Sequence, residues 1–296
     1  MMKEKSEFKF IISMLIFGSM GLFVKAINRP SSVIVLMRAI IGSLFLILVI
    51  ITRKQFINRK KILNNLPVLM LSGFVLGAGW VFLFEAYRYT TVSGATLLYY
   101  CAPIIVFLLS PILFKESLTW SKIVGIVVAI IGMLIVNGLG IGGSNPYLGL
   151  ICGVLSALFY ATLMILNKFI KNLSGLESTL VQLMIASFVM TVYVLLRHEN
   201  KWSFNSGMEM FLLITVGILH TGVACYLYFS SIQKLPGQTI AVLSYIDPVS
   251  ALFFSALFLG ERLSLLQILG AFLVLGGTAF SQFYINQGRA QNQQVL

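Results

Sequence analysis

A few ionisable residues stand where apolar sequence should exclude them. Asp247 lies near the middle of a long uncharged run, and His220 near the middle of the run before it. A carboxyl group at mid-membrane costs several kcal/mol unless it is protonated, paired or facing water, so Asp247 is a candidate to bind and release a proton. Its neighbour Pro248 gives it a second possible role, capping backbone groups that the proline sets free. A neutral histidine can pass protons or hydrogen-bond a substrate, or it can simply pack with its nitrogens satisfied. Arg38 and Glu85 carry opposite charges, each about one helical turn inside the end of its run, so the sequence predicts an ion pair, with Arg88 in reach. The pair would act as a structural or gating contact; direct substrate contact is its other reading.

Aromatic residues gather on the same runs: Trp80, Phe84 and Tyr87, then Tyr99 and Tyr100, Tyr160, Tyr226 and Tyr228, and Tyr245. Trp80, Phe84 and Tyr87 follow helical spacing and share a face. Such walls suit a flat, partly apolar substrate or an organic cation, although aromatic side chains also serve ordinary packing. Pro103 and Pro248 stand in mid-run, where a freed carbonyl and a bend are tolerated if they line a cavity or form a hinge. Pro111 adds a bend to one run only. Glu116 and Glu261 each precede a polar helix start, at Thr119 and Ser264, and are expected to bond the free N–H groups of that following helix.

The elements that position these groups are membrane helices. The chain is 58% hydrophobic and 10% charged, against about 25% charged in soluble domains, which excludes a soluble fold. Apolar stretches of roughly 20 residues recur throughout. Ten spans are expected near 8–27, 33–52, 66–88, 92–114, 119–137, 147–170, 175–196, 209–233, 237–259 and 264–285. The first is too long for a signal peptide and lacks a cleavage site, so it reads as a retained helix. The net charge of +12 follows topology. With the N-terminus inside, 14 Lys and Arg lie on the cytoplasmic side and 6 outside, Arg38 being set apart as intramembrane, so both termini are expected in the cytoplasm of a cell-membrane protein. That pattern leaves no role for nucleic acid. The three cysteines, Cys101, Cys152 and Cys225, are scattered within spans and read as packing residues; no metal or cofactor is expected.

One pattern occurs twice. Residues 98–132 align without a gap on 243–277 at a constant offset of 145. Tyr100 meets Tyr245, Pro103 meets Pro248, Glu116 meets Glu261, Gly125 meets Gly270 and Gly132 meets Gly277. Asp247 and His220 break the symmetry, with Ala102 and Val75 as their mates. The chain divides into a first five-helix repeat (1–137), a linker (138–146) and a second repeat with a short tail (147–296). Gly138, Gly140 and Gly143 spell a dinucleotide-binding spacing, but helical runs on both sides make the segment a linker. Five spans per half would invert the second repeat. Gly73 and Gly77, like Gly149 and Gly153, have a spacing for close helix approach, within the fold or between protomers.

The paired segments Pro103–Glu116–Leu118 and Pro248–Glu261–Leu263, the pairs Asp247-Pro248 and Gly260-Glu261, and the run 84–100 resemble the EamA-like members of the drug/metabolite transporter superfamily. Lys115 replaces the family's glycine in the first half. The resemblance implies an all-α membrane protein of ten transmembrane helices, arranged as two inverted five-helix repeats around a central cavity. Helices 1, 3, 4, 6, 8 and 9 would line that cavity, helices 5 and 10 would pack outside, and transport would use alternating access. The expected function is secondary transport of small organic metabolites such as amino acids, with export and proton coupling as further expectations. Multidrug or organic-cation transport is the alternative. No phosphate-binding loop and no nucleophile–base set appears in the sequence, so neither ATP-driven transport nor an enzyme is expected, and a channel fits the repeat less well. The partners would be a small-molecule substrate and the lipid bilayer, with the chain a monomer or homodimer.

Overall fold

In the computed structural model of the protein, the described residues are 2–24, 26–54, 57–90, 92–137, 144–198, 206–259 and 264–293. Among them all secondary structure is helical. The first half comprises α1 (Met2–Val24), α2 (Ser31–Thr52), the short α3 (Arg59–Asn64), α4 (Leu66–Tyr89), α5 (Val92–Tyr99), α6 (Ala102–Phe114) and α7 (Trp120–Asn137). The second half comprises α8 (Pro146–Phe169), α9 (Gly175–Leu196), α10 (Gly207–Thr215), a π-helical segment (Val216–Val223), α11 (Ala224–Ile232), α12 (Gly237–Leu243), α13 (Ile246–Leu259) and α14 (Leu265–Gln293). Eight helical stretches among the described residues are long and apolar enough to cross a membrane; the apolar parts of α7 and α14, Trp120–Ile135 and Leu265–Ser281, are shorter. Large apolar side chains such as Leu48, Ile112, Phe188 and Phe272 are exposed on the outer faces, as a lipid-facing surface requires. The predicted linker glycines 138, 140 and 143 lie outside the described residues, as do Glu261 and its neighbours 260–263.

Helix ends follow local chemistry. Pro146 opens α8, where a missing N–H costs nothing, and the Asn145 side chain accepts from the Leu148 N–H at 3.3 Å. Ser174 and Glu177 form a reciprocal capping box on α9. The two mid-span prolines break their helices as expected. Pro103 cannot donate to the Tyr99 carbonyl, and α5 gives way to α6 there; Pro248 cannot donate to the Ser244 carbonyl, and α12 gives way to α13. The two breaks are repeat equivalents, and they meet: the Tyr245 hydroxyl donates to the Tyr100 carbonyl at 3.2 Å. A third irregularity has no proline. The run expected as one helix over 209–233 widens into π geometry at Val216–Val223, where the Thr221 hydroxyl bonds the Val216 carbonyl five residues back. Gly217 and Gly222 within it sit so close to α2 that an added Cβ would stand 2.5 Å from Ile41 and from Phe45. Only glycine lets the two backbones approach so far.

The neighbour relations survive exchange of the two halves. α4 packs on α8 and α9; their repeat equivalents, the π segment and α11, pack on α1 and α2. α1 packs on α13, and α8 on α5 and α6. α7 pairs chiefly with α14. At that crossing Gly125 faces Gly277 and Gly132 faces Gly270, so the helices run antiparallel and each contact is the other's mirror under the 145-residue offset. A Cβ on Gly132 would lie 2.5 Å from the Gly270 carbonyl oxygen. Gly132→Leu is therefore expected to destabilise the protein by about 1–3 kcal/mol through overpacking, read as a lower melting temperature in detergent. Gly276→Ala, at a glycine with open space around it, should leave that temperature unchanged. Equal shifts would refute the close crossing. The glycine pairs 73/77 and 149/153 serve approach within the fold: Gly73 and Gly77 meet α9, Gly149 meets Thr90 and Gly153 meets Leu98.

Candidate substrate site

Arg38 projects from α2 into the centre of the bundle and is 9% exposed. Its guanidinium lies over the Trp80 ring, 4.6 Å from the centroid, and Nη1 reaches the Met20 sulfur at 2.6 Å. Its Nε has no hydrogen-bond partner. The predicted Arg38–Glu85 pair does not form. Glu85 instead receives hydrogen bonds from the Tyr193 hydroxyl and from Arg197 Nη2 at 2.9 and 3.2 Å, with Arg88 at 3.4 Å. The reason lies on α4. Five residues separate Trp80 from Glu85, a rotation of about 140°, so Trp80 faces Arg38 while Glu85 faces α9. Four and seven residues from Trp80 return to its face, which places Phe84 and Tyr87 beside it; their rings are 6.0 Å apart.

Asp247, at the start of α13, interacts with the Tyr100 hydroxyl and acts electrostatically on Tyr87, Tyr99, Tyr160 and Tyr228. Arg38 acts on Tyr87 and Tyr99 as well, so one tyrosine group experiences both charges. Among the described residues neither Asp247 nor Arg38 has an ion-pair partner. The Ser244 carbonyl left by Pro248 is met by the backbone N–H of Asp247 at 3.4 Å, so among the described residues the Asp247 carboxylate does not take the capping role.

The tyrosines form a continuous wall. Tyr99 and Tyr160 stack at 4.6 Å with 3° between planes, and Tyr228 follows at 6.4 Å with its hydroxyl donating to Tyr160 at 2.9 Å. Phe17 closes on Tyr228 at 5.9 Å. Tyr226 packs partly buried on the main apolar core, and Tyr228, two residues on, stacks on Tyr160 in the wall. Tyr245 is 1% exposed with its hydroxyl committed to the Tyr100 carbonyl, so it joins the two helix breaks rather than facing a ligand.

His220 sits on the π segment. Its Nε2 lies 3.0 Å from the Ser19 hydroxyl, and Phe23 meets its ring edge at 4.9 Å. Arg38, not Asp247, is the charged group that acts electrostatically on it. A π bulge re-aims side chains and recurs at functional sites. Gly217 and Gly222 flank His220 on that segment.

Ionic clamps stand at the two ends of the bundle. At one end Glu85 ties α4 to α9, and Arg29 ties the α1–α2 loop to Glu209 of α10 at 2.5 Å. At the other, Glu116 accepts from the backbone N–H groups of Gly237 at 2.7 Å and Gln238 at 3.1 Å, and from Lys168 Nζ at 3.2 Å. Glu116 thus caps a helix start, but that of α12 rather than the α7 that follows it. Lys115, just before it, ends α6 in a left-handed conformation (φ 55°). Pro103 and Pro248 mark the breaks described above.

Comparison with known proteins agrees with this architecture. The model of the EamA-like transporter family matches twice, over residues 5–138 and 147–283. An uncharacterized transporter of Bacillus subtilis (strain 168), YxxF, is 31% identical over 97% of this chain and 92% of its own. A second from the same organism, YdfC, is 27% identical over 85% of this chain and 82% of its own. A protein solved by crystallography superposes with a TM-score of 0.84 over 94% of this chain and 98% of its own, at 16% identity, which speaks for the fold alone. The apolar helical bundle, its twofold pattern of contacts and a family match over both halves lead to one conclusion: the chain belongs to the EamA-like transporter family, a multi-pass membrane protein of transport.

Proposed function

We propose that the protein is a secondary transporter of small zwitterionic amphiphiles, amino acids foremost, and that Asp247 couples transport to protons. The observation that carries this reading is a pair of charged groups without an ion-pair partner among the described residues, the buried Arg38 and the partly buried Asp247, set around one tyrosine wall. Such charges are costly unless a ligand or proton completes them. A substrate carboxylate suits Arg38, and an apolar side chain suits Tyr99, Tyr160 and Trp80. In this reading ten spans form two inverted repeats, 1–137 and 147–296, with both termini in the cytoplasm. The ionic clamps at the two ends then open in turn, Glu85–Arg197 and Arg29–Glu209 outside, Glu116–Lys168 inside. His220 and the π segment supply a deformable wall against α1 and α2.

A second reading, transport of organic cations, draws on the same aromatic wall and Asp247. Counterflow in proteoliposomes separates the two. Saturable exchange of radiolabelled aromatic or apolar amino acids, competed by unlabelled amino acid and not by a quaternary amine, is expected. Competition by the quaternary amine alone would favour the cation reading, and unsaturable flux would favour a channel.

A further inference from the structure

At the Lys168 end of the bundle lies an open pocket of about 750 Å³ between α3, the start of α4 and the α8–α9 loop. We infer that it holds the phosphate of an anionic phospholipid headgroup, a site separate from the substrate site. Lys61, Lys171, Asn64 and Asn172 form its polar lining, and Val68 and Phe169 its apolar lining. Among the described residues neither lysine ammonium has a carboxylate partner. Glu177, the acid on the adjoining turn, is 6% exposed and its oxygens are taken by Ser174 and the Asn58 N–H.

The pocket is built rather than incidental. Asn65 is 8% exposed, and its side-chain amide donates to the Lys61 carbonyl at 2.8 Å and the Lys171 carbonyl at 2.9 Å. Its amide oxygen accepts from the Lys171 N–H at 3.0 Å. One buried side chain thereby fixes two lysines 110 positions apart in sequence at the rim of one pocket. Asn172 adopts a left-handed turn (φ 56°) beside Lys171, a conformation asparagine tolerates.

Position selects a lipid over a free anion. The pocket lies where the span Leu66–Tyr89 begins and the span Pro146–Phe169 ends, at the boundary of the apolar belt. Phe169 is 44% exposed there, and Leu63 and Met70 nearby are exposed as well, so a ligand with acyl chains has a surface on which to lay them. Arg53, Lys54, Arg59 and Lys60 in the same connection add to the positive field. The other half has no counterpart: at the repeat offset Lys61 becomes Ser206 and Asn64 becomes Glu209. A site on one face of the membrane follows from that difference.

Native mass spectrometry of the purified full chain tests this, with phosphatidylglycerol, phosphatidylcholine and inorganic phosphate as probes. Phosphatidylglycerol should bind the wild type in preference to phosphatidylcholine. The double variant Lys61→Gln/Lys171→Gln should bind it about 30-fold more weakly, from about 1 kcal/mol per lysine. Lys61→Arg/Lys171→Arg should keep most binding, and Lys122→Gln/Lys234→Gln, matched in charge at the same end, should keep all of it. Equal binding of phosphatidylcholine by the wild type would overturn the proposal without any variant. An equal loss in the matched control would reduce it to diffuse attraction and overturn it too. Displacement of the lipid by millimolar phosphate would assign the pocket to a free anion instead.

Discussion

Asp247→Asn is expected to abolish accumulation driven by a pH gradient while leaving exchange intact. An amide matches the protonated carboxyl in shape but cannot release a proton. A variant locked in that state can cycle loaded with substrate at both faces and so still supports counterflow. It has no proton to exchange, so the gradient does no work. With one proton per substrate, a gradient of one pH unit sustains about tenfold accumulation, since 1.4 kcal/mol is a tenfold ratio. In the variant the ratio should fall to unity. The readouts are the radiolabel ratio across proteoliposomes and the accompanying change in internal pH. Gradient-driven accumulation that survives in Asp247→Asn would end the proton-carrier role. Simultaneous loss of counterflow would show instead that Asp247 holds the substrate's amino group as a charge. Its position favours the carrier role: among the described residues no cation pairs with it, and its side-chain neighbour is the neutral Tyr100 hydroxyl.

Arg38→Ala should weaken substrate binding by about 2–5 kcal/mol, from roughly 30-fold to several thousand-fold, as removal of one member of a buried charged contact generally does. A loss of that size alone could reflect structure, since the guanidinium also covers Trp80. The substrate's methyl ester separates the two roles. Wild-type protein should bind the ester far more weakly than the free amino acid. Arg38→Ala should bind both alike, because the group that recognised the carboxylate is gone. If the ratio of acid to ester stayed at its wild-type value, Arg38 would be a packing residue. Arg38→Lys should recover only part of the affinity, since lysine keeps the charge but loses the planar fork that matches a carboxylate.

Period and symmetry were legible in the sequence for physical reasons. A helix satisfies its backbone polar groups within itself and needs only apolar side chains to cross a bilayer, so runs of roughly 20 residues declare themselves without tertiary context. Pro103 and Pro248 break helices by local sterics, and the breaks fall one turn before each. Gly125, Gly132, Gly270 and Gly277 matched across the offset and were found facing one another in crossed pairs. What the sequence misjudged was always a question of which helix faces which. Glu85 and Arg38 are at similar depths, but depth along a run does not give rotation about it, and α4 turns Glu85 toward Arg197. Glu116 was expected to cap its own following helix and caps α12 instead.

The sequence by itself therefore determined an apolar helical chain of two related halves, the positions of its breaks and the residues that depart from the symmetry, Asp247 and His220. Those follow from local sterics and from transfer of side chains out of water, and neither needs a neighbour. Tertiary packing alone decided that Arg38 lies over Trp80, that His220 rides on a π bulge against Ser19, and that Lys61 and Lys171 meet through Asn65. These depend on the rotation of each helix and on contacts between distant segments, which are fixed only when the close glycine crossings bring the whole bundle together.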